Sequence, residues 1–105
     1  RGEARGVWCY DESVEDDPLS KGSRRAVHSS MYHSLRTNLP REVMSYSDFP
    51  FDESFSPLRY PPHTVVRDYL AAYAEANGIM PLVSLGRRVA SVEPLPGGGW
   101  AVRHR

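Results

Sequence analysis

The chain has 105 residues, and its 13 Lys and Arg residues are balanced by 13 Asp and Glu residues. This length supports one small domain at most, and zero formal net charge argues against a charge-driven hold on nucleic acid or anionic membrane. A single cysteine, Cys9, excludes an internal disulfide and a four-cysteine zinc site. No apolar run approaches the roughly 20 residues that a membrane helix needs. Because the chain runs from Arg1 to Arg105 without an initiating Met, we expect a trimmed domain or a piece of a larger protein.

The first quarter of the chain is predicted to be irregular. Residues 1–10 form a glycine-containing loop that leads into a short apolar segment. Residues 11–24 begin with five acidic side chains in seven positions, which repel one another and predict a solvated loop. A calcium-binding loop is the alternative, although the spacing lacks the oxygen ligands and central glycine of an EF-hand.

Two short helical turns are predicted before the middle of the chain. The first covers residues 30–35, with Ser29 or Ser30 as its N-cap. The second begins near Leu39 and has Pro40 at its first position, where the missing N–H of proline costs nothing.

The best helix is predicted over residues 63–77, after an aromatic-rich loop at residues 47–62. That loop should be ordered, because aromatic side chains are rare in disordered segments. The helix starts after two prolines and stops at Asn77-Gly78, which favours a left-handed end. Its core-facing residues recur at helical spacing: Val66, Tyr69, Leu70 and Tyr73.

The last quarter has the alternation of β-strands. Residues 82–85 and 87–93 are predicted as strands separated at Gly86, and a proline- and glycine-rich turn at residues 94–99 leads into a strand that begins at Trp100. The predicted fold class is therefore mixed α/β, in which an irregular aromatic-rich half precedes one main helix, a strand and a β-hairpin.

No familiar catalytic motif is evident from residue types alone. There is no nucleophile-elbow serine and no glycine-rich phosphate loop. His28 and His33 are five residues apart and would not share a helical face, so a metal pair there is disfavoured, and no metal site is predicted. His63 is expected to be a surface or capping residue, and Cys9 a small packed side chain.

Residues 34–42 differ from the rest, because they combine hydrogen-bonding side chains with leucines. Thr37 and Asn38 offer short polar groups to a ligand, and the Asn amide both donates and accepts. The alternative is a helix cap or an Asx-turn before Pro40, which the chemistry alone favours.

Residues 27–51 closely resemble flavin-containing monooxygenases. Their run Leu-Arg-Thr-Asn-Leu-Pro-Arg-Glu, at residues 35–42, is most similar to the plant sulfur-oxygenating branch, whose members include glucosinolate S-oxygenases. The flanking blocks follow in family order: Gly6-Val7-Trp8 resembles the end of a Gly-Gly-hydrophobic-Trp motif, and residues 88–93 and 99–102 resemble a later strand pair. The resemblance covers nearly the whole chain.

This resemblance implies a cofactor-dependent enzyme. Family members hold FAD, use NADPH to reduce it, and form a flavin C4a-hydroperoxide with dioxygen that delivers one oxygen atom to a thioether or amine substrate. The cofactor carries this chemistry, which explains why no catalytic triad is found. Residues 1–105 would then be part of an FAD/NAD(P)-binding, Rossmann-like domain, with no nucleic-acid partner, no membrane segment in this chain and a cytoplasmic location.

The resemblance also assigns roles to individual positions. Asn38 matches the family asparagine beside the flavin ring and the nicotinamide, where it would be catalytic, and Thr37 matches its cofactor-binding neighbour. Val7 and Trp8 match positions that touch FAD. Val89 matches a strand residue whose backbone meets the adenine.

Several family features are missing from these residues. Neither the Gly-x-Gly-x-x-Gly loop for FAD nor the second one for NADPH occurs, and the family Gly-Gly pair is replaced by Arg5-Gly6, which would crowd a close backbone approach. We therefore expect residues 1–105 alone to bind no flavin and to be inactive. The alternative is a truncated, non-catalytic protein or a weak binding module derived from the family.

Overall fold

The computed structural model describes residues 6–17, 19, 21–22 and 29–105. Two α-helices and one antiparallel hairpin make up its regular structure, together with two short 3-10 helices. In chain order the elements are α1 (Ser13–Asp16), a 3-10 helix (Arg41–Met44), α2 (His63–Ala76), a second 3-10 helix (Met80–Leu82), β1 (Val89–Pro94) and β2 (Trp100–His104). A mixed helix and small antiparallel sheet was predicted from the sequence, and this arrangement is confirmed.

Helix α2 is the main scaffold, and its bounds agree with the predicted residues 63–77 to within one residue. Pro62 precedes it with an extended backbone, φ −65° and ψ 159°. At the other end Gly78 adopts a left-handed φ of 62°, which a residue with a Cβ rarely does. The backbone amide of Asn77 donates to the Tyr73 carbonyl at 3.1 Å, so the helix ends at the Asn-Gly pair as predicted.

The core lies between α2 and the aromatic-rich loop. Phe51 and Tyr69 are each 1% exposed, and their rings stack with centroids 4.2 Å apart and planes 7° apart. Val66 completes the fully buried group, and further side chains pack around it: Trp8, Met44, Phe49, Phe55, Val65 and Leu70. The prediction of an ordered loop at residues 47–62 is therefore confirmed, because its aromatic residues form one side of the core.

The C-terminal hairpin pairs Val92 with Val102 and Pro94 with Trp100. Two glycines with positive φ shape its turn, Gly98 at 94° and Gly99 at 82°, and the Leu95 amide donates to the Gly99 carbonyl at 3.0 Å. Trp100 is 66% exposed, and only two residues of the paired strands are even partly buried. Within the described part of the chain, the hairpin therefore has an uncovered apolar side.

Two predicted elements are wrong. Residues 82–85 are not a strand, because Met80–Leu82 is a 3-10 helix and the extended residue that follows, Val83, has no ladder partner among the described residues. Residues 30–35 are not helical either: the Ser29 hydroxyl accepts from the Met31 amide at 3.2 Å and donates to the Val7 carbonyl at 2.8 Å. Ser29 thus joins two segments instead of capping a helix.

Two other predictions need adjustment. The acidic loop contains one helical turn, α1, because Asp11 Oδ1 accepts from the Ser13 amide at 3.0 Å and starts it. The second helical turn exists but is of the 3-10 type, and Pro40 precedes its first residue instead of occupying it.

The chain is more open than a compact domain of its length. Its radius of gyration is 16.9 Å, whereas about 13 Å is typical of a compact domain with this many residues. Its accessible surface is 8416 Å², compared with roughly 5,900 Å² for a compact monomer of this mass. No helix in the described residues is long and apolar enough to cross a membrane.

Candidate functional site

The candidate site is built around residues 37–40, the Asn38 loop, which follows a short antiparallel contact with the start of α2. Arg36 and Pro62 form an isolated bridge. On its two sides, the Thr37 amide donates to the Pro61 carbonyl and the His63 amide donates to the Leu35 carbonyl, both at 3.1 Å. These bonds fix the position at which the chain enters the loop.

The exit from the loop is fixed by Arg41, which is 6% exposed. Its backbone amide donates to the Arg59 carbonyl at 2.8 Å, and its guanidinium Nη1 donates to the Leu58 carbonyl. Nη2 lies 3.5 Å from the carboxylate of Glu42, and Nε is buried without a partner among the described residues. The loop is thus bonded at both ends to the segment that leads into α2.

Inside the loop, the two candidate polar residues have opposite environments. Thr37 is 8% exposed, and its hydroxyl donates to the Leu39 carbonyl at 2.8 Å. The Asn38 side chain is exposed, and its amide makes no hydrogen bond with any described residue. The Asx-turn or cap expected from chemistry alone is therefore not formed, and Pro40 precedes the 3-10 helix without a side-chain cap.

The segment at residues 6–10 reaches the same end of α2. Trp8 packs against the core cluster, whereas Val7 is 59% exposed. A Cβ at Gly6 would meet no atom within 4 Å, and Arg5, the residue expected to crowd this position, lies outside the described residues. The Tyr10 ring lies 5.4 Å from the ring of His63, which is the first residue of α2.

A cluster of titratable side chains holds these segments together. The Glu15 carboxylate accepts from the His33 amide at 2.6 Å, and this bond lowers the pKa of Glu15 below its usual value. Desolvation raises the pKa of Tyr10 above its usual value, and the hydrogen bond to Glu15 adds to the effect. The rings of Tyr10 and His33 meet edge to face at 6.0 Å.

His63 is not the surface or capping residue that the sequence suggested, because it is 4% exposed. A carbonyl oxygen only accepts, so the 3.0 Å contact with the His33 carbonyl means that Nε2 carries the proton. Nδ1 is buried and has no partner among the described residues. The ring therefore fixes the segment just before the Asn38 loop through its Nε2 contact.

Four of the five residues singled out from the sequence therefore lie near the N-terminal end of α2, and the fifth does not. Val7, Trp8, Thr37 and Asn38 belong to segments that contact this end. Val89 opens β1 on the exposed hairpin and is 56% exposed. No contact in the structure tests their cofactor roles, which stay predictions.

Among the five candidate residues, Asn38 has the environment best suited to contact with a polar ligand. Its amide, able to donate and accept, has no hydrogen bond to a described residue and lies on a loop fixed at both ends, which suits the polar edge of a flat heterocycle. The Thr37 hydroxyl is engaged with the Leu39 carbonyl, so its most evident contribution is to shape the loop.

Sequence reasoning missed Arg41 and His63. Their partners are carbonyls 17 and 30 residues away, and no local pattern reveals such pairs. The described residues contain no group of three or more side chains able to hold a metal ion, and His28 of the disfavoured histidine pair lies outside them.

Comparisons with known proteins identify the family of the chain. A family model described as flavin-binding monooxygenase-like matches residues 3–102. Flavin-containing monooxygenase FMO GS-OX2 of Arabidopsis thaliana is 45% identical over 95% of the chain, and FMO GS-OX-like 6 of the same plant is 48% identical over 85%. The solved S-allyl-L-cysteine S-oxygenase of Allium sativum is 42% identical over 95% of the chain, with a TM-score of 0.78.

The matched region is a minor part of each of these proteins. The chain spans 23% of FMO GS-OX2, 20% of FMO GS-OX-like 6 and 24% of the Allium enzyme. The family match nevertheless covers nearly all of the chain. The chain belongs to the flavin-binding monooxygenase-like family, and its relatives include plant S-oxygenases.

Proposed function

We propose that this chain provides the flavin-facing asparagine loop of an FAD- and NADPH-dependent monooxygenase that adds one oxygen atom to a sulfur or nitrogen nucleophile. One observation carries the proposal. The Asn38 amide is exposed and unpaired among the described residues, on a loop whose neighbours Thr37 and Arg41 are buried and hydrogen-bonded. A free amide on a fixed backbone suits orientation of a ligand better than it suits stability of the fold.

The chain's own residues have limited tasks in this proposal. The Asn38 amide N–H would donate to a polar atom of the ligand, and its carbonyl oxygen would accept from a ligand N–H. Bound FAD would supply the electron transfer and the activation of dioxygen. Trp8, half-buried against the core, would line the cofactor on the side of residues 6–10, and Val89 would meet its adenine end.

Thioethers are the proposed substrate class, with amines as the second. The support is the similarity to the Arabidopsis proteins and to the S-allyl-L-cysteine S-oxygenase of Allium. The substrate would be a small molecule, nucleic acid is not a proposed partner, and the proposed location is the cytoplasm.

The same residues would form one part of an FAD-binding, Rossmann-like domain. The uncovered apolar side of the hairpin, where Val92 and Val102 are each more than half exposed, supports this, since isolated domains rarely leave such strands bare. Residues 1–105 alone are expected to bind no flavin. Purifying this segment and finding a stoichiometric yellow chromophore would contradict that expectation.

A non-catalytic protein derived from the family is the second candidate, and the open shape of the chain favours it. The coding sequence upstream of Arg1 distinguishes the enzyme from the non-catalytic protein. A strand followed by Gly-x-Gly-x-x-Gly, encoded in frame before Arg1, supports the enzyme, because that loop binds the FAD pyrophosphate. An in-frame stop or unrelated sequence there supports the non-catalytic protein.

The catalytic proposal is tested by Asn38→Ala in the protein expressed from its complete gene. The ratio of oxygenated thioether to NADPH oxidised should fall by about tenfold or more, since loss of one oriented donor typically costs about 100-fold or more in rate, while FAD content stays the same. Asn77→Ala is the matched control, because Asn77 is the only other asparagine and caps the far end of α2. An unchanged ratio in Asn38→Ala removes Asn38 from the mechanism.

A further inference from the structure

We infer that Arg41 is a positioning residue for Asn38, acting through the backbone of the Asn38 loop without touching the ligand. This inference rests on the proposed function, since it concerns the residue that the proposal places beside the flavin. It starts from an unusual feature of Arg41. Arg41, a permanent cation, is only 6% exposed, although it lies three residues from Asn38, whose exposed amide has no hydrogen bond to a described residue.

Burial of this guanidinium is hard to explain by stability alone. It has one hydrogen bond to a carbonyl, one ion pair at 3.5 Å with a half-exposed carboxylate, and a buried Nε without a partner among the described residues. A buried ionic group that is only partly satisfied contributes little to stability and can be replaced by an apolar side chain without loss. What the group does provide is a defined geometry.

The geometry it defines is the exit of the Asn38 loop. The Arg41 backbone and side chain donate to two consecutive carbonyls, those of Arg59 and Leu58, so the residue is held at two points against that segment. The Arg41 charge also helps to lower the pKa of Asp52, although the hydrogen bond from the Ser54 hydroxyl has the larger effect.

The entry to the loop is fixed independently, by the Thr37 amide on the Pro61 carbonyl. The carbonyls that hold the entry and the exit belong to one four-residue stretch, 58–61, which lies just before α2. Three residues lie between these anchors. The Leu39 carbonyl accepts from the Thr37 hydroxyl and the Pro40 carbonyl accepts from the Val43 amide at 3.0 Å, whereas Asn38 has no hydrogen bond to a described residue. Because the Asn38 side chain has no bond of its own to a described residue, its direction depends on these anchors.

Loss of the Arg41 side chain should therefore reduce the fraction of molecules in which Asn38 is correctly placed. We expect Arg41→Met, in the protein expressed from its complete gene, to lower the yield of oxygenated thioether per NADPH by about tenfold, since small misplacements of an oriented group cost this much or more. Arg41→Lys keeps the charge but has only one nitrogen for the Leu58 carbonyl and Glu42, so it should recover part of the yield.

A double-mutant cycle separates positioning from general structural support. If Arg41 acts through Asn38, Arg41→Met lowers the yield about tenfold in the native background and less than twofold in the Asn38→Ala background. Equal losses in both backgrounds, or no loss in the native one, overturn the inference. Arg59→Met is the matched control, because Arg59 is 67% exposed in its side chain and pairs with the same carboxylate at 3.8 Å.

Backbone exchange supplies a readout that does not require bound flavin. In the FAD-free protein, the amide of residue 41 should exchange faster in Arg41→Met and in Arg41→Lys than in the native protein, while the Asn77 amide, at the far end of α2, is unchanged. Lys is the fallback if Met does not fold. Unaltered exchange at residue 41 contradicts the anchor. If Asn38→Ala itself leaves the yield unchanged, the proposed role of Asn38 fails, and exchange still decides whether Arg41 holds the loop.

Discussion

Replacing Tyr69 by phenylalanine tests how α2 is joined to the aromatic loop. The Tyr69 hydroxyl donates to the Phe49 carbonyl and accepts from the Tyr46 amide at 2.8 Å, so one oxygen serves two backbone groups of that loop. The substitution removes both hydrogen bonds. It keeps the ring, which stacks on Phe51, so no cavity is made.

The expected loss follows from the number of bonds. A typical intramolecular hydrogen bond contributes about 0.5–1.5 kcal/mol net, so two of them give about 1–3 kcal/mol. A loss of about 2 kcal/mol shifts the folded-to-unfolded ratio by roughly 30-fold. Tyr69→Ala, which also leaves a cavity, should cost about 3–5 kcal/mol.

Urea unfolding of the purified protein measures these losses, with Tyr73→Phe as the matched control. Tyr73 lies one turn further along α2, and its ring is 4.3 Å from that of Tyr46, but its hydroxyl makes no hydrogen bond with a described residue. Its removal should change the unfolding free energy by less than about 0.5 kcal/mol. Equal effects of Tyr69→Phe and Tyr73→Phe would refute the reasoning, because they would show that the two bonds add nothing.

Three further outcomes are expected. Phe51→Ala removes the other half of the ring stack and should lower the unfolding free energy by about 3–5 kcal/mol in the same urea assay; a loss below about 1 kcal/mol would contradict the assigned core. The Ser54 hydroxyl lowers the pKa of Asp52, so the stability from this bond is present above the unfolded pKa of about 3.9 and is lost as pH falls through the folded pKa. Ser54→Ala should therefore make the unfolding free energy depend less on pH in that range. An unchanged pH dependence would contradict the bond. Gly98→Ala forces a φ of 94° on a residue with a Cβ, which should cost about 1–3 kcal/mol and weaken the cross-strand contacts seen by NMR; intact contacts would argue against the turn.

Helix α2 was predictable because its signals are local. Its apolar residues recur at helical spacing. Two prolines mark its start and an Asn-Gly pair marks its end, so every signal lies within or next to the helix. The hairpin was predictable for the same reason, since its turn glycines and alternating strands are adjacent in the chain.

The missed elements depend on partners that are distant in the chain. Residues 82–85 have the composition of a strand, but a strand exists only when another one pairs with it, and the described residues provide none. Residues 30–35 resemble a helical turn, yet Ser29 bonds Val7, 22 residues away, and the chain extends toward the bridge at Arg36.

The candidate site likewise contains residues with a local sequence signal and residues without one. The resemblance of its motif indicates Asn38, whereas residue chemistry alone favours a cap or an Asx-turn that the structure does not form. Arg41 and His63 have no such signal, because a buried arginine and a buried histidine are exceptions to the usual exposure of these residues. Only the carbonyls that they meet in the folded chain explain their burial.

The most direct test of the central claim is to follow the oxygen atom. The protein expressed from its complete gene would be incubated with FAD, NADPH, a methyl thioether and isotopically labelled dioxygen. Mass spectrometry would then measure the label in the sulfoxide. The account predicts a sulfoxide that carries one labelled oxygen atom and forms only when NADPH is present. A protein that binds FAD and oxidises NADPH but yields no sulfoxide, or one whose sulfoxide oxygen comes from water, would contradict it.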